Sequence, residues 1–336
     1  MNSNTVLKNT PDLQTNNIPA DELVAHLKAH MNARIVGQEQ FVERLLLALF
    51  ADGHILLEGA PGLAKTKAVN ALAEAIDCDA RRIQFTPDLL PSDLTGTDIY
   101  RPEQQSFTFQ QGPLFNNLIL ADEINRAPAK VQSALLEAMA ERQITVGGHT
   151  YPLPALFLVM ATQNPIEQEG TYPLPEAQLD RFLLHVNIDF PSARAEREIL
   201  RIVHGEAQGE VLKPNRLIST EEIFAARQQA LQTHASEALL EYIIQIIQAT
   251  RRPFMYGEDM VDVISYGASP RSTIALDRCA RVHAWMRGSE FVTPMDVQAV
   301  VHDVLRHRII LSFEAQAEGK TADEFITALI DRVPVS

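Results

Sequence analysis

The sequence predicts an α/β fold, a parallel sheet flanked by helices, followed by a small all-helical domain. Three observations carry that prediction. Short apolar runs alternate with helical stretches up to about residue 190, the order that places strands side by side in a parallel sheet covered on both faces. The first of these runs ends in a Gly/Pro-rich turn, GAPGLAKT at 59–66. Beyond Pro191 the strand signals stop and helical periodicity takes over. A chain of 336 residues is also long enough for two domains at about 150 residues each.

In chain order, a polar tail over 1–20 precedes one amphipathic helix that runs into FVERLLLALF, where Phe41, Leu45, Ala48 and Leu49 recur at helical spacing. HILLE from His54 reads as a buried parallel strand, and RRIQF from Arg81, NLILADE from Asn117, LFLVMATQN from Leu156 and LLHVNIDF from Leu183 as apolar strands. Lys65 to Ile76 and Ala129 to Glu141 read as helices between them. Two segments interrupt the alternation. Asp98 to Gly112 carries Phe107 and Phe109 at strand spacing, and Gln143 to Pro152 places Gly147-Gly148 between two β-prone runs, a hairpin signal. Helices then run over 193–204, 220–233, 237–250, 270–287 and 294–306. The expected division is a tail at 1–20, a nucleotide-binding αβα domain at 21–190, and a linker with a helical lid at 191–336.

Composition excludes several classes. Hydrophobic residues at 46% and charged residues at 21% exclude a wholly disordered or collagen-like chain. A net charge of −14 argues against a protein that coats nucleic acid and in favour of a protein client. No apolar run approaches the roughly 18 residues of a membrane span, and the start of the chain lacks a basic, apolar export signal, so the cytoplasm is expected. Cys78 and Cys279 stand far apart with no ligand cluster, and both are expected to be small core residues.

The candidate chemistry lies at the strand ends. A strand, a small-residue turn and a helix opening with Lys65 form the setting in which backbone N–H groups meet phosphate oxygens. Gly59 and Gly62 allow the tight turn, Lys65 meets the β/γ charge, and the Thr66 hydroxyl holds Mg²⁺. The usual pattern has glycine where Ala64 stands; alanine fits if that residue already has helical φ/ψ. A Gly-rich turn without ligand is the alternative. LILADE at 118–123 ends a strand in two carboxylates, Asp122 for the Mg²⁺ shell and Glu123 to polarise water. Asn164, ending the next apolar strand, can bond the γ-phosphate or that water, or simply start a turn with the following proline. Arg181, in PEAQLDRF, is badly placed for its own P-loop and suited to a neighbour's. Arg271 opens a helix behind Ser269 and Pro270, with Arg278 and Arg281 near its face; it could close over a triphosphate or pair with a neighbour's acidic surface.

Taken in order, these motifs resemble those of AAA+ ATPases, and within them the MoxR family, from about Asp21 to the C-terminus. IVGQEQ is similar to the family's adenine-packing box, which assigns base contacts to Val36, Gly37 and Gln38. GAPGLAKTK resembles Walker A and carries nucleotide contacts over Gly59, Ala60, Pro61, Gly62, Leu63, Ala64, Lys65, Thr66 and Lys67. LILADE resembles Walker B, ATQNP sensor 1, LDRF the arginine-finger motif and GASPR sensor 2. The resemblance implies ATP and Mg²⁺ as ligands, and a hexameric ring with ATP at subunit interfaces. It also implies hairpins facing a client, with Phe107, Phe109 and His149 as contacts, although these could equally be packing residues. The implied work is chaperone-like remodelling or metal-cofactor insertion, with a partner carrying a von Willebrand factor A domain. A magnesium-chelatase-like motor, a DNA-translocating ring and a nucleotide-switch scaffold share parts of this pattern.

Overall fold

The computed structural model describes residues 20–60, 62–164, 170–209 and 213–335; most of the polar tail lies outside them. Two helices rather than one open the described chain, α1 (Ala20–Arg34) and α2 (Glu39–Phe50). The break falls at Val36-Gly37-Gln38, where Gly37 has a φ of 76° that a continuous helix cannot contain.

The sheet half follows as β1 (Ile55–Glu58), α3 (Lys65–Ile76), β2 (Ala80–Gln84) and α4 (Pro91–Thr95), then the hairpin β3 (Gly96–Arg101) and β4 (Ser106–Gln111). Next come β5 (Leu118–Asp122), α5 (Ala129–Glu141), a second hairpin β6 (Gln143–Val146) and β7 (His149–Pro152), then β8 (Leu158–Gln163), α6 (Glu176–Leu179) and β9 (Leu184–Asn187). Among the described residues five strands form one parallel sheet in the order β2-β5-β8-β1-β9. The register places Ile55 opposite both Met160 and Leu184, so β1 lies between β8 and the edge strand β9. Its residues alternate between two apolar cores, Ile55 and Leu57 on one side and Leu56 on the other, which is why HILLE reads as a continuous apolar run.

The remainder is α7 (Ala193–Ala207), α8 (Thr220–Leu231), α9 (Glu237–Arg251), β10 (Ile264–Tyr266), α10 (Pro270–Met286), α11 (Pro294–Leu305), β11 (Ile310–Leu311), α12 (Phe313–Ala317) and α13 (Ala322–Ile330). The antiparallel pair β10 and β11 corrects the expectation that no strand follows Pro191; it is too short to show a period in sequence. One core runs unbroken from α2 and β1 into α10 and α11, through Leu45, Ile55, Leu276 and Val300. Arg44 of α2 bonds Asp303 of α11 at 2.6 Å with both side chains buried, and Arg308 donates to Phe182 O at 2.6 Å. The lid and the sheet domain are therefore packed as one body. Cys279 is in that core, where burial pushes its thiol up to about 12, while Cys78 is half-buried at its edge. No helix among the described residues is long and apolar enough to cross a membrane.

Candidate functional site

The C-terminal edge of the sheet opens into a cleft of about 410 Å³. Gly59, Gly62, Leu63, Ala64, Lys65, Thr66, Lys67, Asp122, Glu123 and Asn164 line it, so most of the predicted set converges. Gly59 has no room for a side chain, because a Cβ there would sit 2.7 Å from the carbonyl oxygen of Ile188. Lys65 begins α3 and lies back across the turn, its Nζ donating to Gly59 O at 2.8 Å. Burial pushes its ammonium pKa down, while Asp122, Glu123 and Glu58 act the other way.

Ala64 corrects the sequence reading. Its φ of 56° and ψ of 18° are left-handed, not right-handed helical, so it adopts the conformation for which glycine is the usual choice. Glu123 is left-handed as well, at φ 58°, and this turn at the end of β5 sets the direction of its carboxylate.

The acidic pair is held by residues that the sequence reading missed. Thr162 of β8 donates to Asp122 Oδ1 at 2.7 Å and accepts from the Glu123 N–H at 2.9 Å. From β2, Arg82 donates to Asp122 Oδ2 at 2.6 Å, and Gln84 donates to Glu123 Oε2 at 2.7 Å. Arg126 bonds the same Glu123 oxygen at 3.0 Å. The available signal was the register of β2 on β5, which puts Gln84 opposite Asp122; strand order is not legible in one sequence.

Beside the cleft runs a narrower apolar groove of about 80 Å³ lined by Ile35, Val36, Gln38, Pro191, Ile199 and Ile202, among others. Val36 and Gln38, the predicted base contacts, line this groove, and Gln38 is fixed by Asp189 O at 2.8 Å. Gly37 does not line the groove; it packs on Ala195 of α7. Ala60 lines a separate surface with Glu58 and His185. Pro61 lies outside the described residues.

The two arginines are not in the cleft. Arg181 precedes β9, where the Leu183 N–H donates to His54 O at 2.8 Å, on the sheet edge opposite the P-loop. Four residues of strand at roughly 3.3 Å each separate the two edges by about 13 Å. Arg181 is exposed and donates to Leu136 O at 2.6 Å. Arg271 lies 3.7 Å from Asp180, next to Arg181, with its side chain 70% exposed. Ser269 stands at the N-cap of α10 but points its hydroxyl at Asp180 rather than capping the helix. The other arginines of this region are consumed internally: Arg278 by Ala51 O, Arg281 by Asp277 and Thr233 O, Arg287 by Asp296, and Arg308 by Asp180.

In the hairpins, Phe109 stacks on Tyr151 with centroids 4.1 Å apart, tying β4 to β7, so Phe109 is a packing residue. Phe107 is 70% exposed, against the half-exposed Tyr100, and His149 is exposed.

A five-stranded parallel sheet with a P-loop after β1, an acidic pair at the end of β5 on the far side of β8, and a helical lid defines an AAA ATPase. Residues 54–184 match the ATPase family associated with various cellular activities, and residues 261–329 match the AAA lid domain. The chain is 46% identical over 301 residues to Chaperone MoxR1 of Mycobacterium tuberculosis, covering 89% of this chain and 78% of that protein. It is 34% identical to Protein MoxR of Paracoccus denitrificans, covering 90% and 92%. A solved structure from Cytophaga hutchinsonii superposes with a TM-score of 0.89 at 45% identity, covering 94% of this chain and 96% of that one. The chain belongs to the MoxR family of AAA ATPases.

Proposed function

We propose that this protein hydrolyses ATP in a ring of identical subunits and uses the cycle to remodel a client protein. The observation that carries the reading is a division of labour. Lys65, Thr66, Asp122, Glu123 and Asn164 meet in one cleft, while Arg181 and Arg271 share a patch that cannot reach it. A second subunit offering that patch to the cleft completes the set.

In this reading Lys65 and the P-loop amides hold the β- and γ-phosphates. Thr66 and Asp122 supply the hard oxygen donors that suit Mg²⁺, and Asp122 Oδ2 already attracts a cationic group in Arg82, so the residues present fit that ion. Bound there, Mg²⁺ would neutralise phosphate charge. Glu123 takes the proton of an attacking water positioned with Asn164, the water oxygen bonds the γ-phosphorus, and the bond to the ADP oxygen breaks. Arg181 and Arg271 of the neighbour stabilise the transferring group. Because lid and sheet share one core, the motion we assign to the cycle is of whole subunits against one another, rather than of the lid on its own sheet. The exposed hairpin tips, Phe107 and His149, would then move against a client.

The domain division at Pro191, the hexameric size, a partner with a von Willebrand factor A domain and a cytoplasmic setting belong to the same proposal. The name of MoxR1 supports the chaperone part. Glu123→Gln tests the reading: ATP binding is retained while turnover falls by about 10² or more, the scale of a lost general base. Undiminished turnover would remove Glu123 from the chemistry.

A further inference from the structure

Arg82 lines the cleft beside the acidic pair, and the hydrolytic cycle above leaves it without a task. It stands on β2, and two of its nitrogens, Nη2 at 2.6 Å and Nε at 3.1 Å, converge on Asp122 Oδ2. The other carboxylate oxygen is held by the Thr162 hydroxyl, so Arg82 occupies the oxygen that a metal ion would need. Arg82 Nη2 also donates to Gln84 Oε1 at 2.8 Å, and Gln84 Nε2 donates to Glu123 Oε2 at 2.7 Å. Asp122, Arg82, Gln84 and Glu123 thus form a continuous chain across the face of the cleft.

We infer that Arg82 is a positioning residue that stands in for the divalent cation. Its guanidinium neutralises Asp122 while the cleft is empty and must leave that oxygen when a metal arrives with the nucleotide. A guanidinium and a divalent cation repel each other at hydrogen-bonding range, so the two do not share Oδ2. The side chain is 51% exposed, which leaves it free to swing away and keeps the competition modest. Its departure also takes a donor from Gln84, loosening the hold on Glu123. Arg126 keeps its own bond to Glu123 Oε2 at 3.0 Å, so only the Gln84 part of that hold responds to the metal.

The inference rests on the nucleotide-site reading, and the experiment separates the two. ADP binding to the full chain is first measured by calorimetry in EDTA. Mn²⁺ is then titrated into the ADP-saturated protein, with free Mn²⁺ read by electron paramagnetic resonance, for wild type, Arg82→Gln and Arg82→Lys. Removing the competing charge should tighten Mn²⁺ binding by about fivefold in Arg82→Gln, the scale of an exposed ion pair. Arg82→Lys should lie between, and it decides the matter if the glutamine variant does not fold. ADP affinity in EDTA should not change. Equal or weaker Mn²⁺ binding in the folded variants would overturn the inference alone, since Arg82 would then be orienting Asp122 for the metal. No ADP binding to wild type would overturn the nucleotide-site reading and this inference with it.

Discussion

Ala64 holds a left-handed backbone at the point where the P-loop becomes α3. For an L-residue with a Cβ that conformation costs about 1–2 kcal/mol, and β-branching raises the cost. Ala64→Gly should therefore be neutral or stabilising by up to about 1 kcal/mol, with nucleotide binding kept, whereas Ala64→Val should lose about 2 kcal/mol. Urea unfolding of the two variants checks this; a valine variant as stable as wild type would contradict it. At this scale the sequence carried the residues that line the cleft, because lysine, threonine and paired carboxylates at strand ends have few other uses in that order. It did not carry Arg82, Gln84 or Thr162. Each acts across neighbouring strands, β2 to β5 or β8 to β5, and depends on a strand order that no local pattern encodes.

Among the elements, the two hairpins show why exposure matters more than residue type. Phe107 and Phe109 differ by two positions on one strand, yet Phe109 bridges to Tyr151 and Phe115 while Phe107 projects from the surface. Phe109→Ala should lower stability by roughly 2 kcal/mol or more, and Phe107→Ala by less than about 0.5 kcal/mol. If Phe107 touches client, its loss lowers client-stimulated turnover without moving the melting temperature; equal destabilisation by both variants would contradict the assignment. The helices Lys65–Ile76 and Ala129–Glu141 were legible to the residue, since each follows a turn signal and keeps one apolar face. The split between α1 and α2 was not. Its only local marks are Gly37 and a short polar strip, and the packing of Gly37 on α7 comes from residues more than 150 positions away. The arginines from Arg271 to Arg308 are paired by contacts that no local pattern shows. Their partners include Asp180 at the end of α6, Asp296 and Asp303 of α11 and Asp323 of α13, and of the arginines paired with these Arg271 alone keeps most of its side chain in solvent.

At the scale of the whole molecule, stability depends on two buried histidines that must stay neutral. His54 is buried between the Met139 carbonyl and the Val159 N–H, and burial pushes its pKa down to about 4. In the unfolded chain it protonates near 6.5, so below that pH the unfolded state binds a proton that the folded state refuses. Stability should fall from pH 7 to pH 5 by about 2 kcal/mol from His54, with His307, held well below its usual value by burial, adding to the loss. Urea unfolding at the two pH values checks this, and a flat profile would contradict it.

In the ring we propose, the active site is also a property of the assembly, because a complete site would take the cleft of one subunit and the arginine patch of another. Arg181→Ala removes the patch and keeps the cleft; Lys65→Ala does the reverse. Each alone should be nearly inactive. Mixed in equal amounts, in rings shown to contain both chains, they should regain a measurable part of wild-type ATP hydrolysis, as Lys65→Ala subunits present Arg181 to intact clefts. Hydrolysis by the mixture no higher than the sum of the two separate variants would contradict a site shared between subunits.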